Sequence, residues 1–282
     1  MTLRMAAAAL LSIGTTISAS AAIRTDIVFV VDESGSMGSV QANLRNNIGQ
    51  FANILSAGGV DATYALVGYG NSQVLPRLIT DFTNPAAFAT AAQGLQISGG
   101  TEPGYSAIAF ALNGINAQAT TLSFRSNSLK NIIILTDEPS NGDRCDTGRP
   151  LCSGGAPGAG GTAFTAPIVD ALLKSNDALL NAVLSGTSTI NSFGTLATDN
   201  GGQVFNLSSF GSSNPTVVQT FVDAFAQAKL QEIIDTCASN PNLPGCTPTE
   251  PPVTGVPEPA TLALLGAGLL GLGVARRRRN AA

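Results

Sequence analysis

The sequence predicts an α/β fold: a doubly wound, mostly parallel sheet flanked by helices. Three observations carry this. The apolar run Ile27–Val31 has no polar break, and Asn131–Leu135 is apolar after its first residue. Such runs are the pattern of strands buried on both faces. Val40, Leu44, Ile48, Phe51 and Leu55 then recur at helical spacing between them. Strand and helix patterns also alternate along the chain, as in a sheet wound by crossover helices.

In chain order, the first strand ends at Asp32, and the helical face from Val40 to Leu55 is stopped by Gly58-Gly59. Ala62–Tyr69 reads as the next strand and Leu78–Thr80 as a short one, and the stretch Phe82–Leu95 includes a helix. Ser98-Gly99-Gly100-Thr101-Glu102-Pro103 is a glycine-bearing loop before a helix that starts over Tyr105–Leu112. The second apolar strand ends at Thr136-Asp137. Right-handed crossovers bring the ends of parallel strands, and their loops, to one edge. Asp32, Thr101 and Asp137 all fall on that edge.

Composition narrows the chemistry. The 282 residues suffice for one domain of ordinary size plus ends. There is no histidine, which excludes Ser-His-Asp catalysis and histidine-ligated zinc. Between residues 23 and 255, acidic residues outnumber basic ones 17 to 9. That balance argues against a nucleic-acid surface.

The stretch after the first strand is the candidate site. Asp32, Ser34 and Ser36 alternate, so their oxygens leave the strand end on one side. Three hard oxygen donors at the carboxyl end of a buried strand suit Mg²⁺ or another small divalent cation. A serine-rich helix cap is the competing reading.

With Thr101 after Gly99-Gly100, and Asp137 after an apolar strand, the pattern resembles the von Willebrand factor type A domain, from about Thr25 to Ala238. The stretch Leu196–Phe205 resembles that family's late helix, Gly-Gly turn and last strand, and Asn214–Ala238 its terminal helix. The resemblance implies a Rossmann-like fold and a metal-ion-dependent adhesion site made by Asp32, Ser34, Ser36, Thr101 and Asp137. It implies direct ligation by both serine hydroxyls, and by Thr101 in the ligand-engaged state. Asp32 and Asp137 would act partly through water. Mg²⁺ is the expected ion, with Mn²⁺ or Ca²⁺ as substitutes.

Two carboxylates roughly cancel the ion's charge, and hydroxyls add little electron density, so the ion stays electrophilic with one position open. A nearby helix N-terminus also favours an incoming anion. The expected partner is a protein or matrix ligand offering a carboxylate. Glu138-Pro139 stands where many family members carry glycine; Glu138 is an extra acid near the site or a solvated loop residue. Glu33 reads as solvent-facing.

Both ends carry processing signals. Arg4, an apolar segment and Ala19-Ser20-Ala21 form a signal peptide over residues 1–22, cut after Ala21 or Ala22. An N-terminal membrane anchor is the alternative, and the short, interrupted apolar stretch argues against it. Four cysteines fit an oxidising compartment. Four cysteines permit three pairings, and closeness in sequence favours Cys145–Cys152 and Cys237–Cys246. A soft-metal site is the rival reading of these cysteines, and an exported chain without histidine argues against it. The glycine-rich loop holding Cys145 and Cys152 is expected to shape access to the ion.

The domain is assigned to residues 23–238, a Pro/Thr-rich linker to 239–255 and a sorting segment to 256–282. In that segment Pro257, Glu258 and Pro259 precede the apolar Thr261–Ala275 and Arg276, Arg277, Arg278 and Arg279. Fifteen helical residues span about 22 Å, short of a ~30 Å bilayer core. This order resembles the PEP-CTERM sorting signal of Gram-negative, exopolysaccharide-producing bacteria. It implies transient membrane insertion of the tail, cleavage by an exosortase, and delivery to the cell envelope, surface or matrix. A simple C-terminal membrane anchor is the alternative.

The expected function is an exported, metal-dependent adhesion or binding module, and not an enzyme. A passive exopolysaccharide-matrix protein is the alternative. A metal-dependent hydrolase is a weaker one, since the chain has no histidine base and the candidate serines lie outside any Gly-x-Ser-x-Gly elbow.

Overall fold

The computed structural model describes residues 22–247. The signal segment to residue 21, the linker from residue 248 and the whole sorting segment lie outside the described residues.

Strand β1 (Ile23–Asp32) is followed by a 3₁₀ turn at Gly35–Met37 and by helix α1 (Gly38–Ala57). Then come β2 (Val60–Tyr69), β3 (Arg77–Thr83), α2 (Pro85–Ala91), α3 (Gly104–Ala111) and β4 (Leu129–Thr136). A short hairpin β5 (Cys152–Ser153) and β6 (Thr162–Ala163) precedes α4 (Ala166–Ser175) and β7 (Ala178–Leu184). The chain continues through α5 (Thr187–Asp199), β8 (Val204–Asn206), α6 (Leu207–Phe210) and α7 (Pro215–Ser239).

The main sheet has the order β3-β2-β1-β4-β7-β8. All its pairings are parallel except the edge pair β2–β3. The expected doubly wound sheet is therefore present. Its winding reverses between β1 and β4, where loops diverge and leave a crevice at the carboxyl ends of the strands. Val31 pairs with Leu135 there, which sets Asp32 beside Thr136 and the following Asp137.

Period-two alternation divides the core into two layers. Ile27, Phe29, Val31, Leu66, Ile133 and Leu135 face α1, α2 and α7. Val28, Val30, Val67, Ile132 and Ile134 face α3, α4 and α5. Helices α4 and α5 and strand β7 extend the pattern read above. Of these, the sequence signals only the end of α5, because the β7 run Ala178–Leu184 is broken by Asn181 and follows directly on α4.

The packed unit runs past residue 238. Leu243 packs on the core, the Arg24 amide donates to the Gly245 carbonyl at 3.0 Å, and Cys237 is bonded to Cys246. Pro241–Cys246, read as the start of the linker from its composition, is held in place by that crosslink and by pairing with β1. Replacing Cys237 and Cys246 by serine should cost about 2–3 kcal/mol, the entropy of a nine-residue loop. Urea denaturation reads this, and an unchanged midpoint would show that the segment adds nothing to stability.

Candidate metal centre

Asp32 is the last residue of β1 and is fully buried. Its Oδ1 accepts the Ser34 amide at 2.7 Å and its Oδ2 accepts the Thr136 hydroxyl at 2.8 Å. Burial outweighs these hydrogen bonds and pushes its pKa from 3.8 up to about 7. The charge of Glu102 adds to the rise.

The Ser34 and Ser36 hydroxyls lie 3.2 Å apart, and neither serine makes a side-chain capping bond to the 3₁₀ turn or to α1. The helix-cap reading thus finds no support. The serine oxygens turn to each other at the mouth of the β1–β4 crevice.

Asp137 follows β4 directly. It is half-buried, and its Oδ1 is buried without a hydrogen-bond partner. The loop bearing Thr101 is tied to this edge at several points. The Ser98 amide donates to the Glu33 carbonyl at 2.8 Å, and the Asn141 amide to the Glu102 carbonyl at 2.8 Å. Gly99 has φ +115°, and a Cβ there would fall 2.3 Å from the Gly70 carbonyl oxygen, so only glycine lets the two loops meet. A Cβ on Gly70 would touch both Glu102 and Asp32 Oδ1, at 3.2 and 3.4 Å. Thr101 itself is half-buried, and its methyl abuts Gly142, where a Cβ would lie 2.3 Å away.

The loops holding all five sequence-predicted positions therefore meet at one edge, around the β1–β4 switch point. Two more residues join them. Glu102 is buried, with Oε2 accepting from Asn141 at 2.8 Å and Oε1 unpartnered. Desolvation raises its pKa, and the charges of Glu138 and Asp137 raise it further. Thr136 bridges Asp32 and the Glu138 backbone. Neither role was legible in the sequence, although Glu102 adjoins Thr101 in the glycine loop.

Two sequence readings change, those of Glu33 and of the nearby helix N-terminus. Glu33 is fully buried and not solvent-facing. Its carboxylate takes an ion pair from Arg77, the Asn71 side chain at 2.9 Å and the Gln96 amide at 2.6 Å. The amino end of α3 is not free for an incoming anion, because Ser140 accepts the Tyr105 amide and Asp143 the Ser106 amide. The amino end of α1 is set back from Ser34 by the 3₁₀ turn. Glu138 is exposed, as the loop reading had it.

The residues suit a hard cation. Two buried carboxylate oxygens lack partners, and the surrounding donors are hydroxyls and carboxylates. Among the described residues no three His, Cys, Asp or Glu side chains group to hold a metal by themselves. A cation here would depend on the serine and threonine oxygens.

The von Willebrand factor type A domain matches residues 26–224. The chain belongs to that family. This von Willebrand factor type A protein also matches the PEP-CTERM protein-sorting motif over residues 255–279. No curated protein matches the chain. Domains of the family are generally interaction modules rather than enzymes. The sorting motif indicates export and cell-surface sorting, with processing by an exosortase. Both disulfides join the expected partners, Cys145 with Cys152 and Cys237 with Cys246. Among the described residues no helix is long and apolar enough to cross a membrane; Thr261–Ala275 lies outside them.

Proposed function

We propose that this domain is a metal-dependent binding module of the cell surface or extracellular matrix. It takes an acidic group of its partner on a divalent cation, for which Mg²⁺ is the best-suited ion. One observation carries the reading: Asp137 Oδ1 is buried and unpartnered on the strand end next to Asp32 and the paired serine hydroxyls. Leaving such an oxygen bare costs about 1–3 kcal/mol or more, which a cation would offset. Ser34, Ser36 and Thr101 would hold the ion, with Asp32 and Asp137 behind them. Bound there, it would supply an electrophile for a carboxylate.

The disulfide loop supports the same reading. The Arg149 guanidinium donates to the Gly142 carbonyl at 3.0 Å, beside the Thr101 methyl. It sets a positive charge next to the place where an acidic partner would arrive. Grafting a shorter loop between Ser140 and Thr165 should change which acidic ligands bind, and an unchanged preference would remove the loop from that role.

The test is a pull-down from the parent bacterium's extracellular material, with and without EDTA. A partner held in Mg²⁺ and released by chelator is expected. If chelator lowers thermal stability and releases nothing, the ion only braces a matrix protein and the binding role falls. Thr101→Val keeps the methyl against Gly142 and deletes the hydroxyl. It should weaken partner binding at least about tenfold, the worth of one charge-assisted contact. Equal affinity by surface plasmon resonance would remove Thr101 from the ligand set.

A further inference from the structure

A second polar cluster lies away from the metal edge, between β7 and α7. Lys229 is fully buried on α7, and its Nζ donates to Glu232 Oε1 at 2.6 Å. Asn181, fully buried in the middle of β7, donates Nδ2 to the same Oε1 at 3.1 Å and to Oε2 at 2.8 Å. Asn181 Oδ1 is buried without a partner. The surroundings are apolar, with Leu179, Val183, Phe225 and Ile233 in the same core layer. Burying an ion pair in such a layer gives little net stability, so simple bracing is a weak reason for it.

We propose that Lys229, Asn181 and Glu232 form a self-crosslinking site that joins α7 to β7 by a Lys–Asn isopeptide bond. The amine and the carboxamide both donate to the carboxylate that would carry the proton, and their nitrogens share its Oε1. Desolvation lowers the Lys229 pKa and favours the neutral amine, the nucleophilic form. Its lone pair attacks Asn181 Cγ, and the C=O electrons move onto Oδ1. Glu232 takes the proton from Nζ and passes it to Nδ2. The carbonyl re-forms, the Cγ–Nδ2 bond breaks, and ammonia leaves. One amide replaces another, with no redox change and no cofactor. Glu232 also lines a surface groove with Gly201, Gln203 and Thr236, which gives ammonia a way out.

The product would tie the last helix covalently to the sheet. The inference does not depend on the metal reading.

Mass spectrometry tests it on the full chain, exported so that its disulfides form. After reduction, a protease that cuts before aspartate separates peptide 177–198 from peptide 223–234. The expected result is one joined species whose mass is the sum of the two less one ammonia. Recovery of both peptides separately at full mass would overturn the proposal. Glu232→Gln should leave the peptides unjoined and lower the thermal midpoint by about 10 °C. A Glu232→Gln protein that still crosslinks would remove Glu232 as proton carrier. The wild-type mass decides the bond itself even if a variant fails to fold.

Discussion

Asp32→Asn should abolish the response to Mg²⁺ and yet make the protein more stable in chelator at pH 8. Asp32 is fully buried, and without a cation its pKa lies near 7, against an ordinary 3.8. The folded state therefore holds the Asp32 proton more tightly than the unfolded state does. That contribution is complete below pH 4. It is lost as pH rises through the window from about 4 to 7, and above it the fold carries a buried carboxylate that two hydrogen bonds only partly compensate. Three pKa units correspond to at most about 4 kcal/mol. A cation offsets this penalty only where the carboxylate is ionised. Thermal unfolding in Mg²⁺ against EDTA should thus show a large stabilisation at pH 8 and little at pH 5. The asparagine variant should show none at either pH. A wild-type response that is equal at both pH values would detach Asp32 from the cation.

Glu33→Ala should be among the most damaging substitutions at this edge, although the residue is no ligand. Its carboxylate gathers Arg77 from β3, Asn71 from the β2–β3 loop and the Gln96 amide from the segment leading to Thr101. Its backbone carbonyl accepts from Ser98 in the same segment. Truncation leaves a buried amide and an arginine unpaired. Breaking a buried pair costs about 3–5 kcal/mol; Arg77 is about one-third exposed and can rehydrate, so about 3 kcal/mol is expected. Glu33→Gln keeps the shape and one acceptor and should cost less. Urea denaturation reads both, and a loss below about 1 kcal/mol for alanine would show that the clamp is idle.

Much of the fold was legible because its signals are local. Ile27–Val31 and the helical face from Val40 to Leu55 needed only periodicity, and both are where expected. Strand β7 was not, because a parallel strand interrupted by a buried asparagine has no clean pattern on its own. The five candidate ligands were found by spacing and resemblance, since each sits at a strand end or in a glycine loop. Glu102, Thr136 and Glu33 were missed because what gives them a role is a neighbour far along the chain. Glu33 and Ser34 are adjacent in sequence, yet one braces three segments and the other turns to Ser36.

The sequence by itself determined the alternating architecture and the sorting tail and supplied the candidate oxygen donors, because these depend on residue type and spacing along the chain. Only the tertiary structure decided which carboxylates lose their water. It also decided that Lys229 and Asn181 converge on Glu232. Desolvation and contact depend on what the rest of the chain packs around a group, and no run of neighbouring residues carries that information.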